Sequence, residues 1–272
     1  LDMRHLGEKK INERLPFVRD LASSYVGKDP VHVPVPVRPV VHYMMGGIHT
    51  DIVGATPVPG LYAAGECACV SINGANRLGS NSLIDLVVFG RAAGLRCGET
   101  VEPGSAQPDL SGSASELALS RLDKMRHAAG GTPTAELRLG MQRVMQNNCA
   151  VFRDGPVLEE GVREISRIWQ SSSDIEINDR TLIWNTDLIE ALEYDNLISQ
   201  AAVTVFSAEN RKESRGAHAR EDFTERDDEN WMKHTLAWAD DATREVKIDY
   251  RPVHTYTMTN AMSYIEPKAR VY

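Results

Sequence analysis

A glycine- and asparagine-rich loop that opens directly into a helix constrains this chain more than any other feature. Residues 60–65 read as a strand of small residues, which ends at the lone carboxylate of Glu66. The loop 73–81 follows with one arginine, Arg77, and helical spacing covers about 82–98. A strand, loop and helix in this order present backbone N–H groups to an anionic or electron-rich ligand.

The start of the predicted helix is the first candidate binding site. Ser80 or Asn81 is the expected N-cap, which places Ser82 and Leu83 in the first turn, where amide groups have no intrahelical partner. The partial positive charge of about half a unit there would stabilise a ligand edge that gains negative charge, such as that of a reduced flavin. A phosphate or a carboxylate would serve equally well, and a helix capped only by its own side chain and water is the alternative.

Three further side chains are candidates, and each has a structural alternative. Glu66 would accept hydrogen bonds from ribose or ribitol hydroxyls, or it is a surface glutamate. Arg77 lies between two glycines and can hold a carboxylate through two parallel hydrogen bonds, although loop arginines are usually solvated. His42 lies within a predicted strand, 40–44, where a histidine is more often part of the core. If His42 faced Arg77, the pair would recognise a small acid.

Length, charge and hydropathy argue against several classes of protein. A chain of 272 residues can bury one large core or two modest ones. The formal net charge of −8 argues against a broad nucleic-acid or anionic-membrane surface, which needs clustered Lys and Arg. The most apolar run, 83–95, is interrupted by Asp85 and Arg91 and falls short of the roughly 20 residues that cross a bilayer. We therefore predict neither a nucleic-acid partner nor a membrane span.

The 4 cysteines do not form a pattern that binds a metal ion. Cys67 and Cys69 are separated by a single residue, which is not the spacing of a zinc knuckle, and no second pair accompanies them. We predict no metal site and a reducing compartment.

Periodicity and turn signals divide the chain into regions. Helical spacing runs to about residue 26, and the prolines between 29 and 40 favour an extended linker. A Pro-, Gly- and Ser-rich stretch at 103–113 then separates a region of short strands from a helical region. The predicted strands are 40–44, 48–52, 61–64 and 245–250, and the later predicted helices are 115–127, 133–148, 158–170 and 187–209, with Thr132 and Asp187 as expected N-caps.

A dense run of charged residues, 213–231, is interpreted first as a solvated face. Its alternating signs, together with Gly216 and Trp231, also fit an internal salt-bridge network or a docking surface. The sequence alone does not separate these three interpretations.

Taken together, the motifs resemble the flavoprotein subunit of succinate dehydrogenase and its close relative fumarate reductase. The matching segments occur in the order of that family and cover essentially the whole chain, but only the second half of a family polypeptide. The chain, which opens at Leu1 in helical sequence, is accordingly interpreted as the later part of a longer protein. The segments are 42–48 (HYMMGGI), 60–66 (GLYAAGE), 74–83 (GANRLGSNSL), 214–218 (SRGAH), 226–231 (RDDENW) and 267–272 (PKARVY).

The resemblance implies an enzyme that oxidises a dicarboxylate with FAD. His42 and Arg77 would bind succinate or fumarate, whereas Glu66, Ser82 and Leu83 would contact FAD. Two hydrogens would leave adjacent carbons of succinate, one of them as a hydride to the flavin, and electrons would pass through an iron–sulfur subunit to a quinone. Membrane anchor subunits would hold the complex at the cytoplasmic face of a bacterial inner membrane, or at the matrix side in mitochondria.

The same resemblance indicates which family features these residues lack. No G-x-G-x-x-G motif follows a strand, so the fingerprint that holds the FAD pyrophosphate is missing from the sequence. The family's histidine that carries the covalent flavin link and its proton-shuttling arginine would lie ahead of Leu1. We therefore expect no catalytic proton shuttle here, and we expect the chain alone to bind FAD weakly and not to oxidise succinate.

The expected fold is α+β in four parts. Residues 1–30 would be the tail of a capping domain, 31–105 the returning C-terminal part of an FAD-binding α/β domain, 112–200 a helical bundle and 201–272 a small C-terminal α+β module. A fumarate reductase or an aspartate-oxidase-like flavoenzyme is the alternative enzyme. The alternative outside enzymes is an isolated interaction module that docks a partner through its helical and charged segments.

Overall fold

The computed structural model describes residues 1–38, 41–106, 109–257 and 259–268. The chain is α+β, as predicted, and it divides into two units, Leu1–Met44 and Met45–Tyr272. Parts of several predicted features lie outside the described residues. Residues 39–40 belong to the end of the predicted linker and the start of the first predicted strand, 107–108 belong to the predicted boundary at 103–113, and 269–272 belong to the family-like segment 267–272.

The first unit is helical at its start, as predicted. A 3₁₀ turn over Arg4–Leu6 leads into α1, Gly7–Arg14, which is followed by α2, Pro16–Leu21. A π-helical turn over Ala22–Val26 ends the helical part. Proline at the first position of α2 lacks an amide hydrogen and has a helical φ, so it stops one helix and begins the next.

Two of the predicted strands, 40–44 at the end of the first unit and 48–52 in the second, are wrong or mostly wrong. Residues 41–44 form no strand, and within 48–52 only β1, Ile48–His49, is paired. β1 lies parallel to β2, Ala68–Cys69, which the sequence pattern did not predict. Strands satisfy their N–H and C=O groups only along a paired ladder, and within the described residues this ladder is two residues long.

The segment that leads to the candidate loop also differs from a strand. Within 61–64, Tyr62 makes an isolated antiparallel bridge with Ala55. The helix that follows, α3, covers Asn81–Thr100 and confirms the predicted helix, extended at both ends. Among the helices of the described ranges, none is both long and apolar enough to cross a bilayer.

A helical bundle forms the main core of the second unit. Its helices confirm the four predicted ones to within a few residues, and they are α4, Glu116–Arg126, α5, Thr134–Asn148, α6, Gly155–Ser171, and α7, Thr186–Asn210. Leu158, Ile165 and Ile198 are fully buried between them. Tyr194 is also buried, and its hydroxyl forms a hydrogen bond with the Ser172 hydroxyl at 2.8 Å.

A short parallel ladder ties the start of α5 to the turn after α6. β3, Thr132–Pro133, pairs with β4, Ile175–Glu176, after a 3₁₀ turn over Ser172–Asp174. Thr132 therefore belongs to a strand, and Pro133 occupies the N-cap position predicted for Thr132. The ladder fixes the backbone immediately ahead of α5, and within the described residues no side chain caps the start of this helix.

The N-cap predicted for α7 is off by two residues. Asn185, not Asp187, caps the helix, because its Oδ1 accepts the Leu188 amide at 2.8 Å. The Asp187 carboxylate accepts the amides of Asn178 and Asp179 at 2.8 and 3.2 Å instead. α6 is capped in the same manner by Asp154, which accepts the Val157 amide at 2.9 Å.

A hairpin follows a short helix in the C-terminal part of the second unit. α8, Asp228–Trp231, leads into β5, Lys233–Asp240, which pairs antiparallel with β6, Glu245–Pro252. β6 confirms the predicted strand 245–250, whereas α8 and β5 were not predicted. The dense charges ahead of β5 masked its alternation in the sequence. β5 also packs against α7, a tertiary contact that a local pattern does not reveal.

Asn185 provides a test of how α7 is held. Asn185→Ala should lower the free energy of unfolding by about 2 kcal/mol, because it removes the cap and also the two hydrogen bonds from Nδ2 to the Asp179 and Thr181 carbonyls. Asn185→Asp keeps an acceptor for the Leu188 amide and should fall between the two. Urea denaturation of the three proteins measures the order, and equal stabilities would contradict this account.

Candidate functional site

The candidate binding helix starts where it was predicted, but its N-cap acts through the backbone. Ser80 is the N-cap and has a left-handed conformation with φ of 67°. Its side chain makes no capping hydrogen bond, and its carbonyl accepts the Leu83 amide at 3.1 Å. The first-turn amides of α3 are therefore not capped by the Ser80 side chain, which leaves a helix start suited to an anionic ligand edge.

The first two turns of α3 combine this polar start with an apolar exposed face. Ser82 is half-buried, whereas Leu83, Ile84 and Val87 are 66%, 61% and 71% exposed. A flavin has an apolar ring system and an N1–C2 edge that becomes anionic on reduction, so it suits both features at once. Ser82 and Leu83 thus fit the cofactor that the family resemblance implies.

Glu66 lies in an exposed turn rather than at the end of a strand. The turn spans 65–67 and runs directly into β2. The predicted strand before it is reduced to the single bridge at Tyr62, so the strand-end position expected for Glu66 is wrong. Exposure leaves the Glu66 carboxylate within reach of a ligand that carries hydroxyl groups.

The candidate loop is fastened to α3 at a buried carboxylate that the sequence analysis did not single out. Asp85 is buried on α3, and its Oδ2 accepts the Asn73 side-chain amide at 3.3 Å. Arg77 is half-buried, and its Nη1 donates to the Leu78 carbonyl at 3.5 Å. The structure brings Arg77 together with Ser82 and Leu83 on one loop and helix start.

His42 belongs to the first unit and is described by itself. It is exposed and lies in 41–44, which forms no regular structure. The expectation of a mid-strand core histidine is therefore wrong for His42. An exposed imidazole remains chemically able to bind a carboxylate.

The charged run 213–231 is an internal salt-bridge network, so its first interpretation as a solvated face is wrong. Glu213 is fully buried and accepts the Arg211 Nη1 at 2.5 Å and the Arg215 Nε and Nη2 at 2.8 and 2.9 Å. It also accepts the Asp227 backbone amide at 3.0 Å. A buried carboxylate is tolerated when it is paired and fully hydrogen-bonded, as Glu213 is.

A second buried ion of this network closes the end of α7. Arg220 is 3% exposed and binds the Asp222 carboxylate through two parallel hydrogen bonds of 2.7 Å each. Its Nη1 donates to the carbonyls of Ala208, Glu209 and Arg211 at 3.1 to 3.3 Å. The guanidinium lowers the pKa of Asp222 to about 2, and the carbonyls at the C-terminal end of α7 receive the cation that their dipole favours.

The His218 ring is held neutral between two arginine residues. Arg153 Nη1 donates to His218 Nδ1 at 2.8 Å, and His218 Nε2 donates to the Arg211 carbonyl at 3.1 Å. The pKa of His218 is lowered to about 4, mainly by burial. The hydrogen bond to the Arg211 carbonyl raises the pKa, whereas the positive charges of Arg153, Arg220 and Arg211 contribute to lowering it.

The charged run also contacts the candidate loop directly. The Ala217 amide donates to the Ala75 carbonyl at 2.9 Å. At the start of the loop, Ser71 Oγ hydrogen-bonds with His234 Nε2 at 2.8 Å and accepts Arg251 Nη2 at 3.2 Å. Sequence reasoning missed both contacts, although the family-like order of SRGAH and the loop motif was a signal that the two segments work together.

A pH dependence follows from His218. Because its pKa is about 4 in the folded chain and near 6.5 when unfolded, the unfolded state takes up a proton first as pH falls. The stability that the neutral ring provides is complete above about pH 7 and decreases towards pH 4, by up to about 1.4 kcal/mol per pH unit. His218→Gln keeps both hydrogen-bond roles without titrating.

Urea denaturation of both proteins at pH 7, 6 and 5 tests this expectation. The free energy of unfolding should fall more steeply with decreasing pH in the unmodified chain than in His218→Gln. Other titrating groups, among them His49 and His234 with their own lowered pKa values, are common to both proteins and cancel in the comparison. Parallel pH profiles would contradict a neutral buried His218.

Two family models match the chain. A model described as "Fumarate reductase flavoprotein C-term" matches residues 138–272, and one described as "FAD binding domain" matches residues 1–83. The second match includes the candidate loop and the start of α3.

Individual relatives agree with the family models. The chain is 52% identical to the succinate dehydrogenase [ubiquinone] flavoprotein subunit of Oryza sativa over all of this chain and 44% of the relative. It is 46% identical to the fumarate reductase flavoprotein subunit of Mycobacterium tuberculosis over 93% of this chain and 44% of the relative. The chain thus spans a little under half the length of these relatives.

Solved structures show the same fold. A chain of E. coli quinol fumarate reductase superimposes with a TM-score of 0.87 at 41% identity, over 97% of this chain and 45% of that chain. The Mycobacterium smegmatis Sdh1 complex gives a TM-score of 0.75 at 27% identity, over 95% and 44%. With both family models, these relatives and these solved structures in agreement, the chain belongs to the family of succinate dehydrogenase and fumarate reductase flavoprotein subunits.

Proposed function

We propose that this chain supplies the dicarboxylate-binding loop of a flavoprotein that oxidises succinate to fumarate with FAD. Membership of the family supports the reaction class, and the Oryza sativa and Rickettsia bellii relatives named as succinate dehydrogenase subunits are 52% and 49% identical to the chain. The chain spans 44% and 47% of their lengths. The proposal therefore concerns a complete flavoprotein, in which this chain is joined to a portion equivalent to the part of its relatives that it does not match.

The observation that carries the proposal is the placement of Arg77. It lies on a loop fastened to α3 by Asp85 and to the charged run by Ala217, a few residues before a helix start that suits an anionic ligand edge. A guanidinium held in this way binds a carboxylate through two parallel hydrogen bonds, which fixes the orientation of the substrate as well as its position.

The helix start and the turn before β2 are proposed to bind FAD. The amide of Ser82 and the positive end of the helix would stabilise the edge of the ring that becomes anionic, and the exposed Leu83 side chain would contact the apolar ring. Glu66 would accept hydrogen bonds from ribose or ribitol hydroxyls. When bound, FAD supplies the acceptor for a hydride. The residues of this chain contribute a polarised helix end and, a few residues ahead of it on the same loop, an arginine that binds the substrate.

Arg77 acts in this proposal by positioning. Holding a carboxylate of succinate helps to direct one methylene hydrogen at the acceptor, and orientation of this kind lowers a barrier by about 7 to 11 kcal/mol in the best cases. His42 is proposed as a second carboxylate ligand, on the strength of its place in the family-like segment 42–48. Proton removal from the adjacent carbon is assigned to no residue of this chain.

The assembly of the enzyme is part of the proposal. The relatives are named as subunits, and we propose an iron–sulfur subunit and membrane anchor subunits as partners, with electrons passing on to a quinone. The proposed location is the cytoplasmic face of a bacterial inner membrane, or the matrix side in mitochondria. The four-part division at 1–30, 31–105, 112–200 and 201–272 is likewise proposed for the domain organisation.

Fumarate reduction is the second candidate function. The chain is 46% identical to a fumarate reductase flavoprotein subunit and 41% identical to a chain of E. coli quinol fumarate reductase. The same residues would bind substrate in either direction, so the quinone and the cofactor potentials decide between the two. Comparing the rates of dye-coupled succinate oxidation and fumarate reduction by the complete flavoprotein measures the preferred direction.

Replacing Arg77 tests the proposed substrate role. In the complete flavoprotein, Arg77→Ala should reduce kcat/KM for succinate by at least about 1000-fold, or about 4 kcal/mol, because a charged bidentate contact is lost. Bound flavin, measured by absorbance, should be retained. Arg96→Ala is the matched control, since Arg96 is an exposed arginine on α3 that pairs with Glu99. An unchanged kcat/KM in Arg77→Ala would contradict the role of Arg77.

Replacing His42 tests the second ligand. His42→Ala should raise the inhibition constant of malonate and the KM for succinate by about tenfold, since one charge-assisted hydrogen bond contributes about 1.5 kcal/mol. His32→Ala, an exposed histidine of the same unit, serves as the control. A malonate inhibition constant equal to that of the unmodified enzyme would exclude His42 from dicarboxylate binding.

A further inference from the structure

We propose that the turn 214–218, anchored by the buried Glu213, is the positioning element for the substrate arginine loop, with Gly216 and Arg215 as its positioning residues. The inference rests on the proposed function, because it assigns a role to residues that act through Arg77. It concerns residues that touch neither substrate nor cofactor in the proposed site.

The turn and the loop meet backbone to backbone. The Ala217 amide donates to the Ala75 carbonyl at 2.9 Å, two residues before Arg77. Gly216 has φ of 61°, and a Cβ there would lie 2.5 Å from the Ala75 oxygen, 2.6 Å from its carbonyl carbon and 2.8 Å from its Cβ. Only glycine permits this approach, so the contact is one that any side chain at 216 would push apart.

The turn is rigid enough to hold another segment. Two backbone hydrogen bonds close the turn: the Arg215 amide donates to the His218 carbonyl at 2.9 Å, and the His218 amide donates to the Arg215 carbonyl at 3.1 Å. The Arg215 side chain reaches Glu213 through two hydrogen bonds, and it reaches Asp228 at 2.6 Å. Glu213 is fully buried, so its contacts with Arg215 are shielded from water.

Contacts with other segments hold the backbone of the loop. Residues 71–80 contain no helix or strand, and nothing in the described part of the chain lies within 4 Å of a Cβ added at Gly74 or Gly79. The first part of the loop is fixed from outside by His234 and Arg251 on Ser71. The contact at Ala75 fixes the middle. A glycine-rich loop loses the most conformational entropy when it is ordered, so these external contacts help to fix the backbone that carries Arg77.

Gly216→Ala in the complete flavoprotein, with FAD bound, is the first test. The KM for succinate and the inhibition constant of malonate should each rise about tenfold or more, while bound flavin is retained. Gly27→Ala is the matched control, since Gly27 has φ of 65° and nothing within 4 Å of an added Cβ, so that it carries the backbone strain without the contact. Values of Gly216→Ala within twofold of those of Gly27→Ala would overturn the positioning role.

Hydrogen exchange of the unmodified enzyme with and without malonate is the second test, and it decides the matter even where Gly216→Ala fails to fold. Malonate should slow amide exchange in 73–79 and also in 212–220, although the latter holds no proposed ligand. Slower exchange in 73–79 alone would overturn the positioning inference and leave the proposed function standing. No change in either segment would contradict dicarboxylate binding at the Arg77 loop, which is a failure of the proposed function.

Discussion

The buried Glu213 carboxylate is the interaction on which the C-terminal half of the structure depends. It receives Arg211 from the end of α7, Arg215 from the turn that follows, and the Asp227 amide at the start of α8. A single buried charge thereby joins the end of α7, the turn that follows it and the start of α8. Such a charge is stable only while every one of its hydrogen bonds is made, so the three segments keep one arrangement or lose it together.

The same anchor extends to the hairpin and to the proposed substrate loop. Arg211 also donates to the Trp231 and Lys233 carbonyls at 3.0 and 2.6 Å and lies over the Trp231 ring at 5.2 Å. Arg211 thus connects the end of α7 to the hairpin, and the turn 214–218 in turn contacts the glycine-rich loop at Ala75. A binding loop of this kind combines a flexible sequence with a fixed position.

The helices could be predicted from the sequence, because their spacing and their ends are local features; Asp154 at the start of α6 caps within the next turn. The short strands before α3 could not, since the pairing of Ile48 with Ala68 is set by distant neighbours and not by alternation. Arg77 and Ser82 became candidates through a loop motif that opens into a helix, and their roles as ligands stay predictions. The support of this loop by Ala217 was not predicted, because a charged segment reads the same whether it is solvated or folded inward.

Arg220 has a consequence for the order in which the chain folds. The last carbonyls of α7 and, through Asp222, the Gly155 amide at the start of α6 find their partners only in a segment that lies beyond the bundle in the sequence. During synthesis the bundle helices therefore leave the ribosome before the residues that complete their ends. The bundle gains its final stability late, when the C-terminal segment supplies the last partners of its helix ends.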